Sequence, residues 1–294
     1  MMRLGLVMRL ALTLFLFLVL MQPVFTQSVW CGELTLFSSE VHNGEVAMLR
    51  WQGESLSFGV VRFRDEVYYL YPDKGGAVAL LPISLDTPAG NYPILAAMVD
   101  LQGQTTATEL VLRVDYKDRP EEHLTLPERM VTPKGKAVVR INRESRLLNE
   151  KYALRSPRFW TTFERPVDDP VNSVFGKRRV LNGKPKSPHS GTDFRSRAGT
   201  PVRSISNGRV VLVADLFYTG QTVVVDHGEG LISLYAHLSK VLVEEGRDLL
   251  MGDVLGKVGS TGRSTGAHLH LTVRLMETRI DPLALLAVFE APEQ

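Results

Sequence analysis

The stretch Ala267-His268-Leu269-His270-Leu271-Thr272-Val273-Arg274-Leu275 alternates polar and apolar side chains. Successive side chains of a β-strand point to opposite faces, so this alternation predicts a strand. Its polar face would carry four side chains: His268, His270, Thr272 and Arg274. Two imidazoles on one face of a rigid element suit a metal site or an acid–base pair. A solvent-exposed polar strand face is the alternative.

The sequence on either side of this strand is also rich in strand patterns. Short runs of β-branched and apolar residues are separated by turns that contain glycine, such as Asn207-Gly208 and Gly228-Glu229-Gly230. The predicted strands are Val202–Ile205, Arg209–Ala214, Thr222–Asp226, Leu231–His237 and Val254–Val258. They predict a β-rich domain over residues 166–290.

The N-terminal half shows a second set of strands. The chain has 294 residues, which suggests two domains. Six short apolar runs with turn residues between them predict an Ig-like β-sandwich over residues 29–118. The runs are Glu45–Trp51, Leu56–Phe63, Val67–Tyr71, Ala77–Leu81, Asn91–Val99 and Ala107–Asp115. No cluster of catalytic residue types occurs among them.

Residues 119–165 read as a linker between the two domains. The stretch from Asp118 to Arg129 is polar and contains two prolines. Residues 141–154 place Leu147, Leu148 and Leu154 among charged residues, a spacing that predicts one amphipathic helix. The expected fold is therefore mostly β, with a partly helical linker.

The N-terminus has the composition of a secretory signal peptide. Two arginines precede an apolar run over residues 10–20, and polar residues follow it at 26–28. We expect residues 1–27 to be removed on export, with a retained membrane anchor as the alternative. Cys31 is the only cysteine, which excludes an internal disulfide and a cysteine-based zinc site. A metal would need histidine and carboxylate ligands.

The positive charge is concentrated in one segment. The formal net charge is +2, yet nine cations lie between residues 177 and 209, with Asp193 as the one acidic residue among them. They are Lys177, Arg178, Arg179, Lys184, Lys186, Arg195, Arg197, Arg203 and Arg209. Such a cluster favours an anionic partner, and a solvated basic loop is the alternative. No nucleic-acid-binding motif accompanies it, so an anionic cell-wall polymer is the expected partner of an exported protein.

Two further segments carry histidines with suitable neighbours. His189-Ser190-Gly191-Thr192-Asp193 places an imidazole and a carboxylate, both zinc-ligand types, in a loop that runs into a strand. In Tyr235-Ala236-His237, alternation places His237 on the same strand face as Tyr235. Each segment alone is a weak signal.

Together these segments resemble the catalytic domain of the lysostaphin/LytM-type zinc metallopeptidases. The resemblance covers roughly residues 170–285, and five motifs agree in order and spacing. The motifs are Phe175-Gly176-Lys177-Arg178-Arg179, Pro188–Asp193, Gly199-Thr200-Pro201-Val202, Tyr235-Ala236-His237-Leu238 and Thr261–His270. Ala267 departs from the proline that the family often has there.

The resemblance implies a mostly antiparallel β catalytic domain that holds one Zn²⁺. It implies that His189, Asp193 and His270 bind the metal and that His237 and His268 are the catalytic histidines. Three protein ligands leave a fourth position for a water. The substrates it implies are stem peptides and cross-links of peptidoglycan.

Three alternatives or additions stay open. The protein could be a catalytically silent regulator of cell-wall amidases, as are relatives that have lost the ligands, or a cell-wall binding protein that acts through its sandwich. The N-terminal domain could also autoinhibit the enzyme. In each case we expect an exported protein of the periplasm or cell envelope, or one released outside the cell, which meets the membrane only transiently through its signal peptide.

Overall fold

A computed structural model describes residues 32–53 and 55–290 of the chain. The predicted signal peptide and Cys31 lie outside the described residues. Within the described ranges, no helix is long and apolar enough to cross a membrane. The chain divides into two compact units: the first takes in residues up to 41 with 47–81 and 88–115, and the second takes in 42–46, 82–87 and everything from 116 onward. The four-part division predicted above stays a prediction.

The first unit consists of strands that form two sheets. One sheet has the order β1-β3-β7-β6 and the other β2-β9-β8-β4-β5, and the pairs β1–β3, β6–β7, β4–β5, β4–β8 and β8–β9 are antiparallel. The Ig-like assignment of this unit stays a prediction. Its strands are β1 (Gly32–Leu36), β2 (Glu40–His42), β3 (Val46–Gly53), β4 (Leu56–Phe63), β5 (Glu66–Tyr69), β6 (Tyr71–Asp73), β7 (Gly76–Pro82), β8 (Gly90–Asp100) and β9 (Thr105–Asp115).

The second unit contains further strands and all the described helices. The strands are β10 (Glu121–Leu124), β11 (Val171–Ser173), β12 (Arg178–Leu181), β13 (Lys184–Pro185), β14 (Thr192–Phe194), β15 (Pro201–Arg203), β16 (Gly208–Leu216), β17 (Gly220–Gly228), β18 (Leu231–Val241), β19 (Asp248–Leu249), β20 (Val254–Val258), β21 (Leu269–Leu275) and β22 (Thr278–Ile280). The helices are α1 (Glu128–Val131), α2 (Lys136–Tyr152) and α3 (Pro282–Glu290). The prediction of a mostly β protein is confirmed.

A ten-stranded sheet forms the core of this unit. Its main path is β11-β14-β21-β18-β17-β16-β19, with β15, β20 and β22 attached to it. The strand quoted first, β21, therefore lies in the interior of the sheet between β14 and β18. Its apolar residues Leu269, Leu271 and Val273 are fully buried, as the alternation predicts. Burying such side chains contributes about 1.5–3 kcal/mol each and fixes the strand register.

Helix α2 packs against this sheet. Its Tyr152 belongs to a buried cluster with Ile232, Leu234 and Ala236 of β18, and Leu147, Leu148 and Leu154 flank the same cluster. The helix begins five residues before the predicted start at Ile141, because the exposed Val138 and Val139 hide its apolar periodicity.

Several short elements of the second unit were not predicted, among them β10 and α3. Strand β10 lies within the polar stretch read as linker and pairs in parallel with β12. Helix α3 is apolar almost all round, so it gives no amphipathic signal.

Candidate metal centre

The pairing of β14 with β21 brings the first two candidate ligands together. Asp193 is directly opposite His270 in the antiparallel register. The Asp193 Oδ1 atom lies 2.6 Å from His270 Nδ1. Both side chains are on the same face of the sheet because opposed residues of neighbouring strands share a face.

The third candidate, His189, completes the cluster from the loop before β14. Its side chain is fully buried. The His189 Nε2 atom lies 3.0 Å from Asp193 Oδ1 and 3.1 Å from His270 Nδ1. Ligand atoms about 2.0–2.1 Å from a tetrahedral zinc ion would be about 3.3 Å apart. The three atoms therefore nearly match the spacing of one metal ion's ligands.

Each ligand is also held by its other polar atom. His189 Nδ1 donates to the carbonyl oxygen of Val174 at 3.0 Å, which leaves Nε2 free of a proton and able to bind metal. His270 Nε2 lies 2.9 Å from Thr272 Oγ1, which leaves Nδ1 as the ligand atom. Outer partners of this kind fix the ring orientation and the tautomer of metal-binding histidines. The residues present fit a metal ion.

The carboxylate is fixed in the same way. Arg179 Nη2 donates to Asp193 Oδ2 at 3.0 Å, so Oδ1 alone faces the two imidazoles. Burial by itself would raise the pKa of the Asp193 carboxyl, but the imidazoles of His270 and His189 hold that pKa well below its ordinary value. Burial lowers the pKa of His270 to about 4. Near neutral pH, the Asp193 carboxyl is therefore ionised and the His270 ring is neutral. These are the states in which both side chains can bind a cation.

The position of His237 corrects the prediction from strand alternation. Alternation placed His237 on the face of Tyr235, but Ala236, not Tyr235, lies opposite His270. A register shift opposes Ala236 and His237 to the single residue Thr222, which is a β-bulge. His237 has a φ of 61°, in the left-handed region that a residue with a side chain rarely adopts. This local backbone turns the His237 ring toward His270, at 5.9 Å between centroids.

His237 and His268 form a pair beside the cluster. Their ring centroids are 4.7 Å apart. His237 Nδ1 donates to the carbonyl oxygen of Thr261 at 2.8 Å, and His268 Nδ1 donates to that of Gly266 at 2.8 Å. A carbonyl only accepts, so each ring carries a proton on Nδ1, and Nε2 is the atom left for a further partner. Burial lowers the pKa of His237 to about 3, which keeps this ring neutral.

The cluster opens into a cavity of about 640 Å³. Residues of helix α2, of strand β10 and of the loop before β21 contribute to its wall. Five cationic side chains are among the residues that line it: Arg179, Lys186, Arg263, Arg274 and Arg279. Arg263 stacks over the Tyr218 ring at 4.2 Å and has no hydrogen-bond or ion-pair partner for its guanidinium among the described residues.

Much of the basic segment is paired with carboxylates that lie outside it. Lys177 and Arg179 contact Glu122, and Lys184 contacts Glu128. Arg203 and Arg209 pair with Asp168 and Asp248. Counting charge along one segment could not detect these partners, so the charge available to a ligand is smaller than the sequence indicates.

The sequence identified the five candidate side chains but not their supports. Arg179 was recognised as one of many cations and as part of the first family motif, without a role, and Thr272 only as a residue on the face of His270. Ser173, whose Oγ lies 3.3 Å from His189 Nδ1, was not recognised. No local pattern marks such residues, because their roles depend on which strands become neighbours.

Comparison with known proteins places this site within a described family. The sequence profile of peptidase family M23 matches residues 187–282. Peptidoglycan DD-endopeptidase ShyA of Vibrio cholerae is 43% identical over 112 residues, which cover 37% of this chain and 26% of that protein. DD-carboxypeptidase/endopeptidase Mpg of Neisseria meningitidis is 32% identical over 143 residues, covering 48% and 31%. The matched segments thus span about a quarter to a third of these relatives.

A solved structure matches over a much longer range. The crystal structure from Pseudomonas aeruginosa assigned to peptidase M23 has a TM-score of 0.64 and 33% sequence identity. The match covers 84% of this chain and 95% of that one. It therefore takes in residues of both units.

Proposed function

Because this chain belongs to peptidase family M23, we propose that it is a zinc-dependent endopeptidase that hydrolyses peptide bonds in bacterial peptidoglycan. One observation carries the proposal: five side chains from separate parts of the sequence meet at one face of the sheet. Three of them present metal-binding atoms about 3 Å apart, and two present free imidazole nitrogens beside those atoms.

His189, Asp193 and His270 would hold the zinc ion. Nitrogen and oxygen donors suit zinc, and three protein ligands are typical of a catalytic rather than a structural zinc site. When bound, zinc supplies Lewis-acid chemistry by polarising a peptide carbonyl and lowering the pKa of a water molecule. The buried environment of the three ligands strengthens electrostatic interactions with a substrate.

His237 and His268 are the proposed catalytic residues. Each holds its proton on Nδ1 through a backbone carbonyl and leaves Nε2 free. A free Nε2 can take a proton from the attacking water and return it to the leaving amine. Once protonated, either ring can also donate a hydrogen bond to the oxyanion of the tetrahedral intermediate.

The substrate class is argued from the relatives' names and the charge of the cavity. ShyA is named a peptidoglycan DD-endopeptidase, and Mpg a DD-carboxypeptidase/endopeptidase. Stem peptides of peptidoglycan carry free carboxylates, and the unpaired guanidinium of Arg263 can bind one of them. We therefore propose a cross-link between D-alanine and a diamino acid as the bond that is cut. Such a substrate requires export to the cell envelope, which the predicted signal peptide would provide.

The test is digestion of defined cross-linked muropeptides by the purified protein, with fragments identified by mass spectrometry. We expect new amino and carboxyl ends at the DD bond, no cleavage after chelation, and recovery on adding zinc. Binding of zinc without cleavage of any muropeptide would contradict the enzymatic proposal. Stimulation of a separate amidase by a protein that cleaves nothing would instead support the regulator.

A further inference from the structure

Glu122 belongs to strand β10, which comes from the polar segment before the catalytic motifs. This strand pairs in parallel with β12, and Glu122 is in register with Arg179. Its side chain is 16% exposed. Of the four residues of β10, Glu122 is the one whose carboxylate reaches toward the metal centre, whereas Glu121 contacts the exposed His123.

One oxygen of Glu122 supports the aspartate ligand through Arg179. Glu122 Oε2 accepts from Arg179 Nε at 3.1 Å. The same guanidinium donates from Nη2 to Asp193 Oδ2 at 3.0 Å. A guanidinium is planar and rigid, so fixing Nε of Arg179 also orients Nη2 toward Asp193.

The other oxygen of Glu122 supports the histidine ligand through Ser173. Ser173 Oγ donates to Glu122 Oε1 at 2.7 Å. This leaves a lone pair of Oγ, 3.3 Å from His189 Nδ1, to share the Nδ1 proton with the nearer carbonyl oxygen of Val174. Lys177 Nζ also approaches Oε1 at 3.4 Å. A single carboxylate thus connects to two of the three ligands from outside.

Burial alone would raise the pKa of Glu122. The Ser173 hydrogen bond and the charges of Arg179 and Lys177 outweigh that effect and lower it. Glu122 is therefore ionised at neutral pH. Its charge offsets that of Arg179, which otherwise would place an uncompensated cation beside the metal ion.

We propose that Glu122 is a positioning residue of the metal centre, which orients Asp193 and His189 and neutralises Arg179. This inference rests on the proposed zinc site. It makes the segment before residue 166 part of the metal centre and not only a connection between domains.

The experiment measures the zinc affinity of the full chain by competition with a chromogenic chelator. Glu122→Gln keeps the side-chain shape but removes the charge, and Glu121→Gln on the same strand is the matched control. We expect zinc affinity to fall about 10-fold or more in Glu122→Gln, the size of loss typical of outer-shell substitutions. We expect no change in Glu121→Gln.

Two further measurements separate positioning from a purely structural role. Arg179→Lys should also weaken zinc binding, and the double variant should lose less affinity than the two single losses combined, because both act through one contact. If Glu122→Gln does not fold, the zinc affinity of Arg179→Lys is the measurement that tests the inference. Lower thermal stability of the zinc-free Glu122→Gln protein with unchanged zinc affinity would overturn the inference, as would wild-type affinity in both single variants. Equal zinc binding by wild type and His270→Ala would instead overturn the proposed zinc site.

Discussion

The imidazole rings of His237 and His268 lie 4.7 Å apart at the edge of the metal centre, and neither ring nitrogen Nε2 is used by a backbone partner. We expect His237→Ala and His268→Ala each to lower kcat by about 100-fold or more, the scale of lost acid–base catalysis. Bound zinc should remain, because neither residue belongs to the three-ligand cluster. Parallel measurement of turnover and zinc content checks this.

His123→Ala is the matched control for those variants, because its side chain is exposed and, among the described residues, forms an ion pair with Glu121 alone. It should retain wild-type kcat. Full turnover by His237→Ala and His268→Ala alike would show that the pair has no catalytic role.

Gly191 is required by the close approach of its backbone to β21. A Cβ atom there would lie 2.1 Å from the carbonyl oxygen of Leu271. Gly191→Ala should push β14 away from β21, separate Asp193 from His270, and cost about 1–3 kcal/mol of stability. We expect loss of zinc binding and a lower Tm. Gly266→Ala, where a Cβ meets nothing within 4 Å, should leave both unchanged; equal behaviour of the two variants would refute this explanation.

Arg263 should govern substrate binding and not the chemical step. Its guanidinium stacks on Tyr218 and is free to bind a carboxylate. Arg263→Met should raise KM for muropeptides about 10-fold with little change in kcat, and Arg263→Lys should raise it less. Steady-state kinetics on a substrate with and without an amidated carboxylate provide the check. The KM increase should disappear for the amidated substrate, and an equal increase for both would exclude this contact.

Glu229 makes stability depend on pH. Burial raises its pKa from 4.5 to about 8, against the opposing charge of Arg158. A carboxyl with a raised folded-state pKa stabilises the fold when protonated, and that contribution is lost as pH rises from about 4.5 through about 8. Glu229→Gln should therefore gain stability relative to wild type between pH 5 and pH 8, on the order of 2 kcal/mol. Thermal unfolding of both proteins across this range tests it; a stability difference independent of pH would count against the assignment.

Strand β21, which follows His268 and carries His270, was predictable because its polar and apolar residues alternate. The Leu269, Leu271 and Val273 side chains are buried as expected, and His270 lies on the opposite face with Thr272. The resemblance of the motifs identified the ligand candidates, and the structure brings these together. These features depend on local sequence.

The remaining features depend on long-range pairing. The bulge at His237 moves its ring to a different face from the one that alternation predicts. Glu122 lies in a stretch too polar to be recognised as a strand, and only its pairing with β12 brings it to Arg179. The apolar helix α3 shows no periodicity to detect. Pairing with residues distant in sequence therefore determines the positions of His237 and Glu122.

The most direct test of the central claim is the zinc content of the purified full chain, measured together with muropeptide cleavage, for wild type and His270→Ala. We predict one zinc per chain and chelator-sensitive cleavage for wild type, and neither for a folded His270→Ala protein. Cleavage by wild type without zinc, or full zinc and cleavage in His270→Ala, would contradict the claim that His189, Asp193 and His270 form the catalytic metal site.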